Sequence, residues 1–267
     1  MIKILEFVFL FALVYWAIYI FPKKNRFKRQ KSEKPPPPPK PQMLKMVECA
    51  FCKIRLPLHE SYEYQQRHYC SLRHYNEISP KGWIGCAKHV PSPNYDERPQ
   101  ESGPVDTVVI HHISLPEGKF GSGAIEAFFT NRLNPKDDPY FETIAHLQVS
   151  SHFLILRDGH LIQFVSTNQR AWHAGASQLF ERQRVNDFSI GIELEGTGEI
   201  PFEQEQYQKL SQLIAAIQKQ YDIQYFVGHS DISPGRKMDP GKSFDWEYVS
   251  QIAKISENQL PFGVHSR

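Results

Sequence analysis

The chain has almost no net charge, no internal repeat and few cysteines, and each shortage narrows what it can be. Over 267 residues, 31 Lys and Arg stand against 29 Asp and Glu, a formal charge of +2. Its distribution says more than its sum. Residues 22–40 hold eight Lys or Arg against the single acid Glu33, a local surplus of seven, while Lys3 and Glu6 cancel before them. Residues 41–267 therefore stand near −5. A nucleic-acid binder keeps its basic surplus on the folded part, where it neutralises phosphates, so nucleic acid is excluded as a partner. The lack of a repeating unit removes stacked-repeat architectures. A hydrophobic share of 40% with 13% aromatics excludes disorder as the main state. The length suits one catalytic-sized domain with accessories.

A cleavage motif is also lacking. No small-x-small site precedes Lys23, and the basic residues follow the apolar run Ile4–Phe21 (ILEFVFLFALVYWAIYIF) instead of leading it. Both features favour an uncleaved transmembrane anchor over residues 1–22 against a removed signal peptide. The run has 18 residues broken only by Glu6, roughly 27 Å as a helix. Lys23, Lys24, Arg26, Lys28, Arg29 and Lys31 then orient a single pass by the positive-inside rule, with everything after Phe21 on the cytoplasmic face. Residues 23–42 read as a basic, Pro-rich linker, in which Pro35–Pro39 favour an extended polyproline II spacer.

The four cysteines all fall between Cys49 and Cys86. Cys49 and Cys52 form a C-x2-C knuckle and Cys70 precedes His74 as C-x3-H, a donor set and spacing that suit a closed, structural zinc site. Reduced thiols on a cytoplasmic face favour metal over disulfide. His68 and Cys86 remain rival fourth ligands. Residues 43–80 are too few for a large core, where a metal supplies folding energy. This segment resembles a small zinc finger of the treble-clef or MYND type, which leaves room for an unidentified protein partner.

Residues 81–256 read as one α/β (α+β) domain with a central mixed β-sheet flanked by helices, followed by a tail over 257–267. Val105–His111 is an apolar, β-branched strand. Ser122 caps a helix whose Ile125, Phe128, Phe129 and Leu133 share a face. His152–Arg157 and His160–Val165 flank Asp158-Gly159, a hairpin signal. In Phe188–Glu195, Phe188, Ile190, Ile192 and Leu194 take one face of a central strand, and Ser189, Gly191, Glu193 and Glu195 the other. Tyr207, Leu210, Leu213, Ile214, Ile217 and Tyr221 follow helical spacing. Gln224–Val227 gives another strand, and Asp245 caps a last helix.

The chemistry gathers at strand ends. His111 and His112 end the first strand, His229 follows the late strand, and Asp239 lies ten residues on. Two imidazoles and a carboxylate leave a fourth zinc position open for water, the pattern of a hydrolytic site. Either Glu193 or Glu195 is placed to take a proton from that water. Lys237 is placed to stabilise an oxyanion.

VPSPNYDERP (90–99), VIHHISLPEGKFG (109–121), DDPYFETIAHLQVSSHFLILRDG (137–159), RAWHAG (170–175), NDFSIGIELEGT (186–197) and GHSDISPGRKMDPGKSFDW (228–246) resemble the AmpD family. Those are cytoplasmic zinc amidases acting on 1,6-anhydro-N-acetylmuramoyl peptides in cell-wall recycling. The resemblance runs from about Trp83 to Ile255. It implies a catalytic zinc on His111, His229 and Asp239, with Glu193 and Lys237 as catalytic residues and anhydro-muropeptides as substrates. It implies substrate contacts near His112, Trp172 and His173, and Arg184 is placed to pair a peptide carboxylate. Two positions depart from the family pattern: His112 replaces a common Asn, and Gln148 a common Arg. Together with the anchor, this locates a recycling amidase on the cytoplasmic face of the bacterial inner membrane. The competing expectations are a silent muropeptide sensor, a tethered adaptor acting through the finger, and a periplasmic amidase of reversed topology.

Overall fold

The computed structural model describes residues 2–20 and 44–264. The chain divides into two compact units, Met1–Met43 and Leu44–Arg267. In the first, an α-helix spans Ile2–Tyr15 and a π-helical turn spans Trp16–Ile20. This corrects the expected anchor over residues 1–22. The regular α-helical ladder stops at Tyr15, before the apolar run does, and its 14 residues rise about 21 Å against a hydrocarbon core of about 30 Å. Among the described residues no helix is long and apolar enough to cross a membrane. The single-pass location on the cytoplasmic face, inferred from that run, falls with it, and the membrane contact expected through residues 4–21 is not shown. The linker expected over residues 23–42 lies outside the described residues.

The second unit is built on a six-stranded sheet: β1 (Lys88–His89), β2 (Thr107–Ile113), β3 (Phe153–Ile155), β4 (Leu161–Gln163), β5 (Ser189–Glu195) and β6 (Tyr225–Gly228). Its order is β6-β2-β5-β3-β4-β1. β3 and β4 form the antiparallel pair around Asp158-Gly159, and every other pairing is parallel. The sheet is therefore mixed, as its sequence implies. β5 is buried along its whole length and lies between β2 and β3, the fate of a parallel strand covered on both faces.

Alternation along the strands divides the interior. Val108, Ile110, Ile190, Ile192 and Leu194 face one core, which is closed by Leu210, Leu213, Ile214 and Ile217 of the Gln204–Gln220 helix and by Trp246 and Val249 of the Trp246–Ala253 helix. A capping box between Glu203 and Gln206 starts the first of these helices, and the Asp245 carboxylate, accepting from the Tyr248 N–H, starts the second. Leu154, Ile162, Phe128, Phe129 and Phe164 pack on the opposite face. Two details depart from sequence expectation. The helix after Ser122 spans only Ala124–Phe129, with Gly123 at its N-cap, so Leu133 joins the core from beyond it. Phe188 ends a 3-10 turn (Val185–Phe188) and so packs with Val109 and Val227, not with Ile190.

Residues 44–80 belong to the same compact unit. Two small antiparallel hairpins, Met46–Glu48 with Arg55–Pro57 and Tyr62–Tyr64 with Arg67–Tyr69, lead into a helix over Leu72–Asn76. The Arg67 guanidinium donates to the Ala87 carbonyl at 2.8 Å, just before edge strand β1. Glu77 accepts from Lys219 of the long helix at 3.3 Å. At the other end, the segment expected as a tail forms a 3-10 turn over Glu257–Gln259 and buries Leu260.

Ile214 is fully buried between helix and sheet. Ile214→Ala should lower the unfolding free energy by about 2–5 kcal/mol, read from the midpoint of urea denaturation at unchanged m-value.

Candidate active site

Parallel pairing of β2 with β5 sets Glu193 opposite His111. On the other side of β2, β6 is in register with Gly228 opposite Ile110, so His229, first residue of a short helix (His229–Ile232), emerges beside His111. The chain then turns back: the Ser230 N–H donates to the Asp239 carbonyl at 2.8 Å. Three donor atoms converge as a result. His111 Nδ1 lies 3.0 Å from His229 Nδ1 and 2.9 Å from Asp239 Oδ2, which is 3.0 Å from His229 Nδ1. Donors sharing a tetrahedral zinc at its usual bond lengths lie about 3.3 Å apart, so this near-equilateral triangle of two imidazoles and a carboxylate fits that ion.

Electrostatics favour the same occupant. Burial, then the neighbouring His229, lower His111 to a pKa of about 4, which leaves it a neutral imidazole at physiological pH. Burial pushes Asp239 up, but the adjoining His111 and His229 outweigh it and hold the carboxyl well below the usual range. Glu193 goes the opposite way. Burial, then the Asp239 charge, raise it well above an ordinary carboxyl, with Lys237 opposing. Its Oε2 is buried without a hydrogen-bond partner. Glu193, Lys237, His112 and Trp172 share a cavity of about 150 Å³ with the triangle.

The two ambiguities of the sequence resolve by geometry. His112 lines the cavity but lies outside the triangle. Glu195 is engaged elsewhere, accepting from the Gly121 N–H at 2.7 Å and the Arg157 N–H at 3.2 Å. Trp172 donates its indole N–H to Asp96 at 3.1 Å. His173 borders the cavity with both ring nitrogens occupied, by His111 at 3.0 Å and Ser189 at 3.2 Å. Arg184 is largely exposed, pairs with Asp187 at 2.9 Å and does not line the cavity. Sequence reasoning passed over Arg170 and Asp96. Arg170 Nε reaches Asp96 at 2.6 Å and its Nη1 reaches Asp187 at 2.5 Å, bracing the Arg170–Ala171 strand that leads into Trp172. The only sequence signal for that brace was the position of Arg170 at the head of RAWHAG.

A second set of donors meets in the N-terminal part of the unit. The Cys49, Cys52, Cys70 and His74 donor atoms lie within 4.8 Å of one another. Cys52 Sγ is 3.7 Å from Cys70 Sγ, and His74 Nδ1 is 3.1 Å from Cys70 Sγ and 3.8 Å from Cys49 Sγ. Sulfurs on a common zinc lie about 3.8 Å apart, so this set fits too. Backbone N–H groups of Cys52, Cys70 and Phe51 outweigh burial and pull the Cys49 thiol down to about 6, while burial and Cys52 push Cys70 up to about 11. Phe51 stacks on the His74 ring at 4.2 Å. The rivals stand apart: His68 bonds Ser61 at 3.0 Å, and Cys86 packs against the main core.

An α/β sheet that presents a buried carboxylate beside a His-His-Asp triangle defines a hydrolase site, and comparison with known proteins specifies it. The model of the N-acetylmuramoyl-L-alanine amidase family matches residues 101–242, and the chain belongs to that family. It is 51% identical over 168 residues to the 1,6-anhydro-N-acetylmuramyl-L-alanine amidase AmpD of Escherichia coli, covering 62% of this chain and 91% of that protein. Against AmpD of Citrobacter freundii it is 49% identical over 181 residues, 67% of this chain and 96% of the relative. A crystal structure of a selenomethionine AmpD derivative superposes with a TM-score of 0.63 at 48% identity, covering 64% of this chain and 97% of the other. The chain is thus an enzyme, with N-acetylmuramoyl-L-alanine amidase activity.

Arg170→Ala would leave the buried Asp187 with the exposed Arg184 as its ion-pair partner and release Trp172 through Asp96. The expected outcome is a stability loss of about 1–3 kcal/mol, with Trp fluorescence more readily quenched by acrylamide.

Proposed function

We propose that this amidase is zinc-dependent and hydrolyses the lactyl amide between 1,6-anhydro-N-acetylmuramic acid and L-alanine in muropeptides, a step of peptidoglycan recycling. The substrate class follows the names of its relatives. The observation that carries the chemistry is the donor triangle beside the unpartnered Glu193 Oε2. The complete donor set speaks against a silent muropeptide sensor.

His111, His229 and Asp239 would hold the zinc, which when bound supplies Lewis acidity to the amide carbonyl and makes an adjacent water more acidic. Glu193 accepts the proton of the attacking water, and its burial raises its affinity for that proton. The hydroxide oxygen bonds to the carbonyl carbon, and the ammonium of Lys237, in the same cavity, stabilises the resulting oxyanion. Glu193 then returns its proton to the L-alanine nitrogen as the C–N bond breaks. The products are a lactyl carboxylate and a free peptide amine. Trp172 and His112 form walls of the cavity and are assigned as substrate contacts.

The N-terminal donor set is read as a structural zinc finger over residues 43–80. Four protein ligands close its coordination, which suits folding and not catalysis.

Glu193→Gln should lower peptide release from anhydro-muropeptide, followed by mass spectrometry, by about 10²–10⁴-fold with zinc content unchanged. Unaltered turnover would remove Glu193 from this role. For the finger, Cys52→Ser should reduce zinc per chain from about two equivalents to about one by elemental analysis, in keeping with two four-coordinate sites. A value that stayed the same would refute that site.

A further inference from the structure

The hydrogen bonds behind the triangle have a direction, and it is fixed by one hydroxyl. Ser189 Oγ has a single hydrogen, donated to the Val185 carbonyl at 2.6 Å. Toward His173 Nε2, at 3.2 Å, the same oxygen can only accept, so Nε2 carries the hydrogen. The buried His173 ring meets His111 Nε2 and Ser189 Oγ and, among the described residues, no carboxylate, so it carries a single hydrogen. Its Nδ1 is therefore a bare lone pair, and at 3.0 Å it accepts from Nε2–H of His111. His111 Nδ1, the atom at the triangle, is left without a hydrogen.

The second imidazole is treated alike. His229 Nε2–H donates to the Ala174 carbonyl at 3.1 Å, freeing its Nδ1 for the triangle. Both partners come from one dipeptide, His173-Ala174. That dipeptide is itself pinned, because the two N–H groups donate to Asn186 Oδ1 at 3.2 and 2.8 Å. The seat of the His173 ring is made by Gly191, where a Cβ would come within 2.5 Å of His173 Cγ. Glycine at this point of β5 is what lets the ring lie against the strand.

We infer that His173-Ala174, held by Asn186, Ser189 and Gly191, is a clamp that sets the tautomers of both His111 and His229 so that each presents its Nδ1 lone pair to the metal. The clamp rests on the zinc reading above. Its members are positioning residues: none needs to touch substrate. Partners of this kind orient a ligating imidazole, and losing one costs about 10–100-fold in metal affinity.

The test uses the full chain and two readouts. Long-range ¹⁵N–¹H spectra of the metal-free protein should show His111, His173 and His229 as Nε2–H tautomers. Zinc affinity is measured by chelator competition, with an Asp239→Ala chain giving the finger's share to subtract. His173→Leu should weaken the remaining site by about 10–100-fold and mix the His111 tautomers. His173→Asn, whose Oδ1 is an acceptor near the former Nδ1, should recover most of that loss. Ser189→Ala should mix the His173 tautomers while the fold, read by circular dichroism, persists. An Nδ1–H signal from His111, or wild-type zinc affinity in a folded His173→Leu chain, would overturn the clamp. A wild-type chain with all three Nε2–H tautomers but no zinc at the triangle would instead overturn the zinc reading and leave the hydrogen-bond clamp standing.

Discussion

The site depends on the parallel pairing of β2 with β5. Seven consecutive residue pairs, from Thr107 with Ser189 to Ile113 with Glu195, fix which side chains face one another. A slip of one residue would turn every side chain of β5 to the opposite face, sending Glu193 into the apolar core and Ile192 into the cavity. The register is held from the far side, where Ile190, Ile192 and Leu194 fill the space beneath the long helix. Apolar packing on one face is thus what places a proton acceptor on the other. Open α/β sheets commonly bind ligands beyond the carboxyl ends of their strands, and His111, two residues before the end of β2, and His229, just past the end of β6, lie near such ends.

Burial then supplies the chemistry. Imidazoles and carboxylates packed within a few ångströms are shielded from bulk solvent, so each group's affinity for a proton is set by its neighbours. His111 stays neutral, Asp239 stays charged, and Glu193 gains a higher affinity for a proton than an ordinary carboxylate has. Two carboxylates near one another thereby take opposite parts, because Asp239 Oδ2 lies against two imidazole nitrogens and Glu193 has an oxygen with no partner.

How much of this was legible beforehand varied with the range of the forces involved. The alternation in β5, the Asp158-Gly159 hairpin and the Asp245 cap are local, and all appear where their residues place them. Phe188 went to the other core because a turn interrupts the alternation just before the strand, and no neighbouring residue announces that turn. The anchor failed for a different reason: an apolar run states what its side chains prefer, not how far a regular helix will carry them. The site residues could be named from motif likeness, but their triangle joins positions 118 and 128 apart in sequence. The engagement of His173 with His111, across 62 positions, was invisible because nothing local distinguishes a cavity wall from a buffer behind a ligand.

The contact between Arg67 and the Ala87 carbonyl has a bearing on how the edge of the sheet is covered. β1 is the last strand of the sheet, with only two paired residues, and such margins invite strands from other molecules. The guanidinium occupies a main-chain acceptor immediately before that margin, and the ring of His89 lies against it. The Tyr62–Tyr69 hairpin thus occupies a main-chain acceptor that would otherwise lie open beside the edge of the amidase sheet.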